Sequence, residues 1–293
     1  MVEVKLGAAT ATRIEESYEP NFDAKVFFPD WNPAVVREHG GWMAPNHYDE
    51  ASGWLKLSIH SWLLRVGGKT ILIDTCVGNH KSRKHRPKWD MMNTPYLDRL
   101  KAAGVTPDQI DIVMCTHLHV DHVGWNTQLE NGRWVPTFKN ARYVWSQEDF
   151  DFYKTLDADP QKGPANGGSF RDSVLPVVEA GMAEMIETDH QPDPMLTLRD
   201  YPGHTPGSVA INLRDGDRRA CFAGDIMHHP IQVYHPDWSS QFCWNPDLSA
   251  KSRRQLLEDC AETNALLCPA HFPGANAGYI KPQGNAFKIE WDQ

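Results

Sequence analysis

Four side chains that bind divalent metals fall within residues 117–122: His117, His119, Asp121 and His122, in the stretch Thr116-His117-Leu118-His119-Val120-Asp121-His122. Imidazole nitrogen and carboxylate oxygen are the donors that zinc and related cations accept. In an extended chain, alternation would put His117, His119 and Asp121 on one side. His122 would then point elsewhere unless the backbone turns, which Gly124 would permit. Such a pattern suits two adjacent cations, with one set of side chains facing each. A solvated polar turn is the plainer alternative, but it has no need of three imidazoles directly after the apolar run Ile110–Cys115.

Three more candidates lie downstream. His204 stands in the turn-rich Pro202-Gly203-His204-Thr205-Pro206-Gly207-Ser208, Asp225 ends Cys221-Phe222-Ala223-Gly224-Asp225, and His271 follows Leu266-Leu267-Cys268-Pro269-Ala270. Any one alone reads as a loop histidine or a capping aspartate. Together with the first segment they could hold two divalent ions, with a bridging carboxylate and positions left open for water.

The elements expected to carry these residues are short. Trp62–Val66 and Thr70–Asp74 flank Gly67-Gly68, a hairpin signal. Thr94 reads as an N-cap with Pro95 opening a helix through Ala103. Tyr143–Trp145 reads as strand, Gln147–Leu156 and Phe170–Gly181 as helices, then Met195–Leu198, Ser208–Leu213 and Arg219–Ala223 as strands. An amphipathic helix is expected over Asp247–Asn264, before a strand at Ala265–Cys268. Hairpins mixed with helices argue for an α+β chain of two sheets with helices outside, not a regular parallel barrel.

With 293 residues, 41% hydrophobic and 23% charged, the composition is that of an ordinary globular enzyme. The net charge of −9 argues against nucleic acid as partner, since phosphate binding needs a concentrated positive surface. The basic stretch Lys81–Lys88 is expected to be a solvated loop. No apolar run is long enough to span a membrane, and the N-terminus lacks the pattern of a signal peptide. None of the six cysteines forms a CxxC pair, so buried thiols and a cytoplasmic location are expected.

The HxHxDH segment, the later Pro-Gly-His-Thr-Pro-Gly-Ser, Ala-Gly-Asp and Pro-Ala-His resemble the metallo-β-lactamase superfamily in order and context, over Leu55–Gly274. The resemblance implies a four-layer αβ/βα sandwich forming a single domain over 1–293. Residues 1–50 would be an N-terminal extension. Their aromatics (Phe22, Phe27, Phe28, Trp31, Trp42) make a homodimer contact the expectation. It also implies that His117, His119 and His204 hold one ion and that Asp121, His122 and His271 hold a second, with Asp225 bridging. Two divalent ions, zinc first among them, are the expected cofactors. Asp74, in Ile73-Asp74-Thr75, matches an early aspartate of the family and is expected to support the ligands rather than bind metal.

The implied chemistry is attack by a metal-bridging hydroxide, with Asp121 or Asp225 passing a proton to the leaving group. His119, where a glutamate would stand in the oxygen-reducing branch, disfavours that branch. Trp125 stands where thioesterase relatives continue with Gly-Gly. The segment Gly224–Gln232 is similar to the lactonase and methyl parathion hydrolase branch. There His228 reads either as a donor that orients substrate, or as a histidine at the surface or packed behind the ligands. Trp125, Trp89, Met91, Met92, Trp244 and Phe272 are candidates for an apolar pocket. The leading expectation is a small-molecule ester or lactone hydrolase. Phosphotriester hydrolysis is the main alternative. An iron-dependent persulfide dioxygenase-like enzyme, a β-lactamase and an inert metal-holding module rank below it.

Overall fold

A computed structural model describes residues 3–187, 190–274 and 276–292, with only the backbone at residue 20. The chain forms two compact units, Met1–Ser17 with Ile59–His190, and Tyr18–Ser58 with Gln191–Gln293.

One sheet has the strand order Glu3–Leu6, Ala9–Asp23, Trp54–Val66, Lys69–Ile73, Ile112–Met114, Arg142–Ser146 and Ala183–Ile186. Trp54–Val66 and Lys69–Ile73 pair antiparallel across Gly67-Gly68, as the hairpin signal predicts. Both glycines there have positive φ, 57° and 76°, which a turn of this kind demands. The next strands pair in parallel, Ile71 with Ile112 and Ile112 with Arg142. Ile112–Met114 is buried throughout, so it reads as a continuous apolar run. It ends three residues before His117, which places the ligand segment at the carboxyl end of a buried parallel strand.

Two expectations fail here. Thr94 does not cap the helix, which spans Tyr96–Ala102 without a side-chain cap. Thr94 instead pairs with Asn79, whose Oδ1 accepts from the Thr94 amide at 2.8 Å and whose side-chain amide donates to the Thr94 carbonyl at 2.9 Å. The stretch Lys81–Lys88 is not wholly solvated either. Lys81 and Arg83 are buried, because Asp172 draws both inward: Arg83 grips its carboxylate with two bonds of 2.7 and 2.8 Å, and Lys81 lies 3.5 Å away. Burial lowers the Lys81 amine to about 7 against the pull of Asp172. For Asp172, burial acts upwards but the Arg83 bonds and the Lys81 charge outweigh it, and its carboxyl is lowered.

The second unit contains the sheet Leu196–Asp200, Val209–Asp215, Arg218–Gly224, Leu266–Pro269, Gly278–Gln283 and Ala286–Trp291. Arg218–Gly224 and Leu266–Pro269 pair in parallel, so their carboxyl ends, leading to Asp225 and His271, lie side by side. The helix Pro246–Thr263 packs Leu256, Leu257 and Cys260 into this unit's core with Ala223 and Leu267. Its N-cap is Asn245, whose Oδ1 accepts from Leu248 N at 3.1 Å. Asn245→Ala is therefore expected to cost about 1 kcal/mol, measured by chemical denaturation.

The early aromatics form a separate cluster in this unit. Phe27 and Phe28 are buried with Ala24, Val35 and Met43, and Phe22, Trp31 and Trp42 pack against them. All six cysteines are free and buried, and among the described residues no helix is long and apolar enough to cross a membrane.

Candidate metal-binding residues

In the first unit the chain leaves the strand Lys69–Ile73 through Asp74, a left-handed residue at φ 56°. This turn aims the Asp74 carboxylate back at the ligand segment. It accepts from Thr116 N at 2.8 Å, Thr116 Oγ1 at 2.9 Å and His122 Nδ1 at 2.9 Å. With its proton held on Nδ1 by a carboxylate, His122 presents Nε2 as a metal donor. The expectation that Asp74 supports a ligand agrees with this contact.

The segment itself is not extended. It turns over Val120–His122, with the His122 amide donating to His119 O at 3.0 Å, so strict alternation of side chains does not apply. His117 Nε2 and His119 Nδ1 come within 3.0 Å of each other, and the rings meet nearly edge to face at 82°. Two nitrogens bound tetrahedrally to one zinc at 2.0–2.1 Å would stand roughly 3.3 Å apart, so the pair fits a shared ion. The Asp121 carboxylate lies 3.9 Å from His122 Nε2, a gap that a second ion could close.

The ligand segment is held by residues distant in sequence. Leu118 N donates to Asp149 Oδ2 at 3.0 Å, and Asn166 Nδ2 donates to Leu118 O at 2.6 Å. The loop after Asp74 is laced to the stretch after His122. Thr75 N donates to His122 O, Gly124 N to Cys76 O and Trp125 N to Thr75 O, at 2.7–2.8 Å. Buried Glu16 then binds Val77 N at 2.8 Å, Gly78 N at 3.1 Å and Trp125 Nε1 at 2.7 Å. Burial raises the Glu16 carboxyl, opposed first by the Val77 amide.

In the second unit Asp225 is buried among three imidazoles. Its Oδ1 lies 2.8 Å from His271 Nε2, and its Oδ2 lies 3.3 Å from His204 Nε2 and 3.4 Å from His228 Nε2. A carboxylate whose two oxygens face different histidines has the form required of a bridge between two ions. His271 is oriented by Ser58, whose carbonyl lies 2.9 Å from Nδ1 and whose amide donates to His271 O at 3.1 Å.

His228 is also buried, with Phe27 against its ring at 5.5 Å. Burial pushes it well below the usual histidine range in spite of Asp225. Its ring packs between Asp225 and Phe27.

The seven expected ligands thus gather into two sets: His117, His119, Asp121 and His122 in the first unit, and His204, Asp225 and His271 in the second. Each of the seven offers a nitrogen or oxygen donor of the kind that could hold a metal ion. The expected pocket residues scatter. Trp125 is not an open wall, because its indole N–H is taken by Glu16 and its ring stacks on Tyr96 at 5.3 Å. Phe272 is fully buried in the second unit's core, edge-on to Trp291. Trp89 is buried beside Arg86, Met92 is half-buried, and Met91 and Trp244 are exposed. Glu16, Asp149, Asn166 and Ser58 were not legible beforehand, since nothing in their local sequence marks them as partners of a segment so far along the chain.

Similar proteins bear on these two sets. The chain is 25% identical over 182 residues to acyl-coenzyme A thioesterase MBLAC2 of Bos taurus, covering 60% of this chain and 60% of that protein. It is 27% identical over 194 residues to N-acyl homoserine lactonase AiiB of Agrobacterium fabrum, covering 59% of this chain and 63% of the lactonase. It therefore spans less than two thirds of either relative. Among solved structures, AidC, a dizinc quorum-quenching lactonase, superposes with a TM-score of 0.79 at 21% identity, over 100% of this chain and 97% of AidC. That likeness concerns the fold, and the α+β class expected from the sequence agrees with it. The sequence pattern of the metallo-β-lactamase superfamily matches residues 55–271, a range that begins within the strand Trp54–Val66 and ends on His271. Both ligand sets fall inside a match that covers most of the chain, which therefore belongs to the metallo-β-lactamase superfamily.

Proposed function

We propose that this chain is a dinuclear metal hydrolase that opens an ester or lactone of a small molecule. The observation that carries the reading is the split environment of Asp225, with His271 on one oxygen and His204 on the other. His117, His119 and His204 would hold one ion, Asp121, His122 and His271 the other, and Asp225 would touch both. Two divalent cations, zinc first among them, would supply a hydroxide at neutral pH and polarise the substrate carbonyl.

The chain's own residues set the rest. Asp74 and Ser58 fix the tautomers of His122 and His271, so that each turns Nε2 to its task. Asp121, partly open to solvent, is suited to receive the proton of the attacking water and deliver it to the leaving alkoxide. His228, with Nε2 3.4 Å from Asp225 Oδ2, would restrain that carboxylate from behind. The Gly224–Gln232 stretch, similar to the lactonase branch, is what favours an oxygen ester, and the comparable likeness to a thioesterase puts thioesters in the test panel.

Metal analysis followed by a panel of lactones, aryl esters, thioesters, phosphotriesters and β-lactams tests this. Two ions per chain are expected, with the highest kcat/KM on a lactone or aryl ester, lost on chelation and restored by zinc. A metal-replete protein inert on the whole panel, or a single iron with oxygen consumption, would overturn it.

A further inference from the structure

A histidine that binds metal through one ring nitrogen normally gives its other N–H to a carboxylate, a carbonyl or water. His122 gives its Nδ1–H to Asp74, and His271 gives its own to the Ser58 carbonyl. His204 departs from this pattern. Its Nδ1 faces a sulfur, Cys243 Sγ, at 3.7 Å.

The contact is built by its surroundings. Trp244 N donates to His204 O and Asn245 N to Gly203 O, both at 2.9 Å, which clamps residues 203–204 against 244–245 on either side of the sulfur. Gly203, at φ 131°, lies so close to the helix Pro246–Thr263 that a Cβ would stand 2.2 Å from Ser249 N. Cys243 Sγ donates to Ser249 Oγ at 3.3 Å, and Ser249 Oγ also accepts from Arg253 Nη2 at 3.0 Å. Arg253 is fully buried and anchored on Ile226 O at 3.0 Å and Pro236 O at 2.6 Å. The thiol proton is thereby directed towards Ser249, and a sulfur lone pair is left for the imidazole N–H.

We infer that Cys243 is the positioning residue of His204, its sulfur accepting the Nδ1 proton so that Nε2 serves as the metal donor. The inference rests on the proposed role of His204 as a ligand. A thiol is a weaker acceptor than the carboxylate behind His122 or the carbonyl behind His271. The ion on His204 is therefore the more loosely held of the two, and the character of residue 243 governs how loosely.

Chelator competition on the purified full-length protein loaded with zinc alone, with the visible spectrum of the cobalt-substituted form, tests this without any substrate. Wild type is expected to release one ion before the other. Cys243→Ala should weaken that first ion by about 10–100-fold and alter the cobalt spectrum, while the second ion and the melting temperature of the metal-free protein stay near wild type. Cys243→Ser, which keeps an acceptor, should restore both readouts. Ser249→Ala, which leaves the sulfur in place but removes the group directing its proton, should weaken the same ion by roughly 3–10-fold, and it serves if Cys243→Ala does not fold. Wild-type affinity and spectrum in Cys243→Ala, or in Ser249→Ala where that variant stands in, would overturn the inference while leaving the dinuclear reading intact. A wild-type protein that binds no metal would overturn that reading first.

Discussion

Asp225→Ala is expected to lower kcat/KM by at least about 10³-fold, near 4 kcal/mol of transition-state stabilisation, and to lower the bound metal with it. The carboxylate is buried with its oxygens 2.8–3.4 Å from three imidazoles. Its removal would take away the negative charge at the point where two cations would repel each other most, and would leave only imidazole nitrogens around that point. Asp225→Asn separates charge from shape. It retains the volume and one oxygen acceptor, so folding should be near normal while metal content still drops. Elemental analysis and steady-state kinetics on the best substrate decide the matter. A metal-replete Ala variant with full activity would refute the bridging role.

Gly124→Ala is expected to destabilise the protein by about 3 kcal/mol or more, a fall in Tm on the order of 5–10 °C. A Cβ at residue 124 would lie 1.9 Å from both the carbonyl carbon and the oxygen of Val77. Both partners are backbone, so no side chain can swing aside. The Gly124 amide is also bound to Cys76 O at 2.7 Å, which prevents a simple retreat. Separating these two loops would move His122, whose carbonyl is held by Thr75 in the same lacing. Metal affinity should fall together with Tm. Thermal melts with and without zinc measure both effects, and a variant that melts with wild type would show that the loops part at little cost.

Gly124 also shows what a sequence reading reaches. It was expected to matter as a turn-former, and its place just after the ligands made it conspicuous. Its actual constraint is the approach of Val77, from a loop some fifty residues earlier, and no local pattern records such an approach. Trp125 is a parallel case. Its position beside His122 made it a natural pocket wall, yet Glu16 and Tyr96 claim its two functional surfaces. Lys81 and Arg83 read as solvated because their neighbours are charged, and Asp172 reverses that by supplying a buried partner.

The ligand residues were legible because metal binding demands particular donor atoms, and a dense run of them after an apolar strand has few other uses. The strands and helices that carry them followed from apolar periodicity and glycine punctuation, both local properties. Tertiary structure alone decided how those ligands are held: Asp74 on His122, Ser58 on His271, Cys243 on His204, and Asp149 with Asn166 on Leu118. These contacts join residues 31 to 213 positions apart. A hydrogen bond needs only a donor and an acceptor of common types at the right distance. The sequence by itself therefore determined the run His117 to His122 as metal chemistry, while packing chose the partners that turn each ligand towards its task.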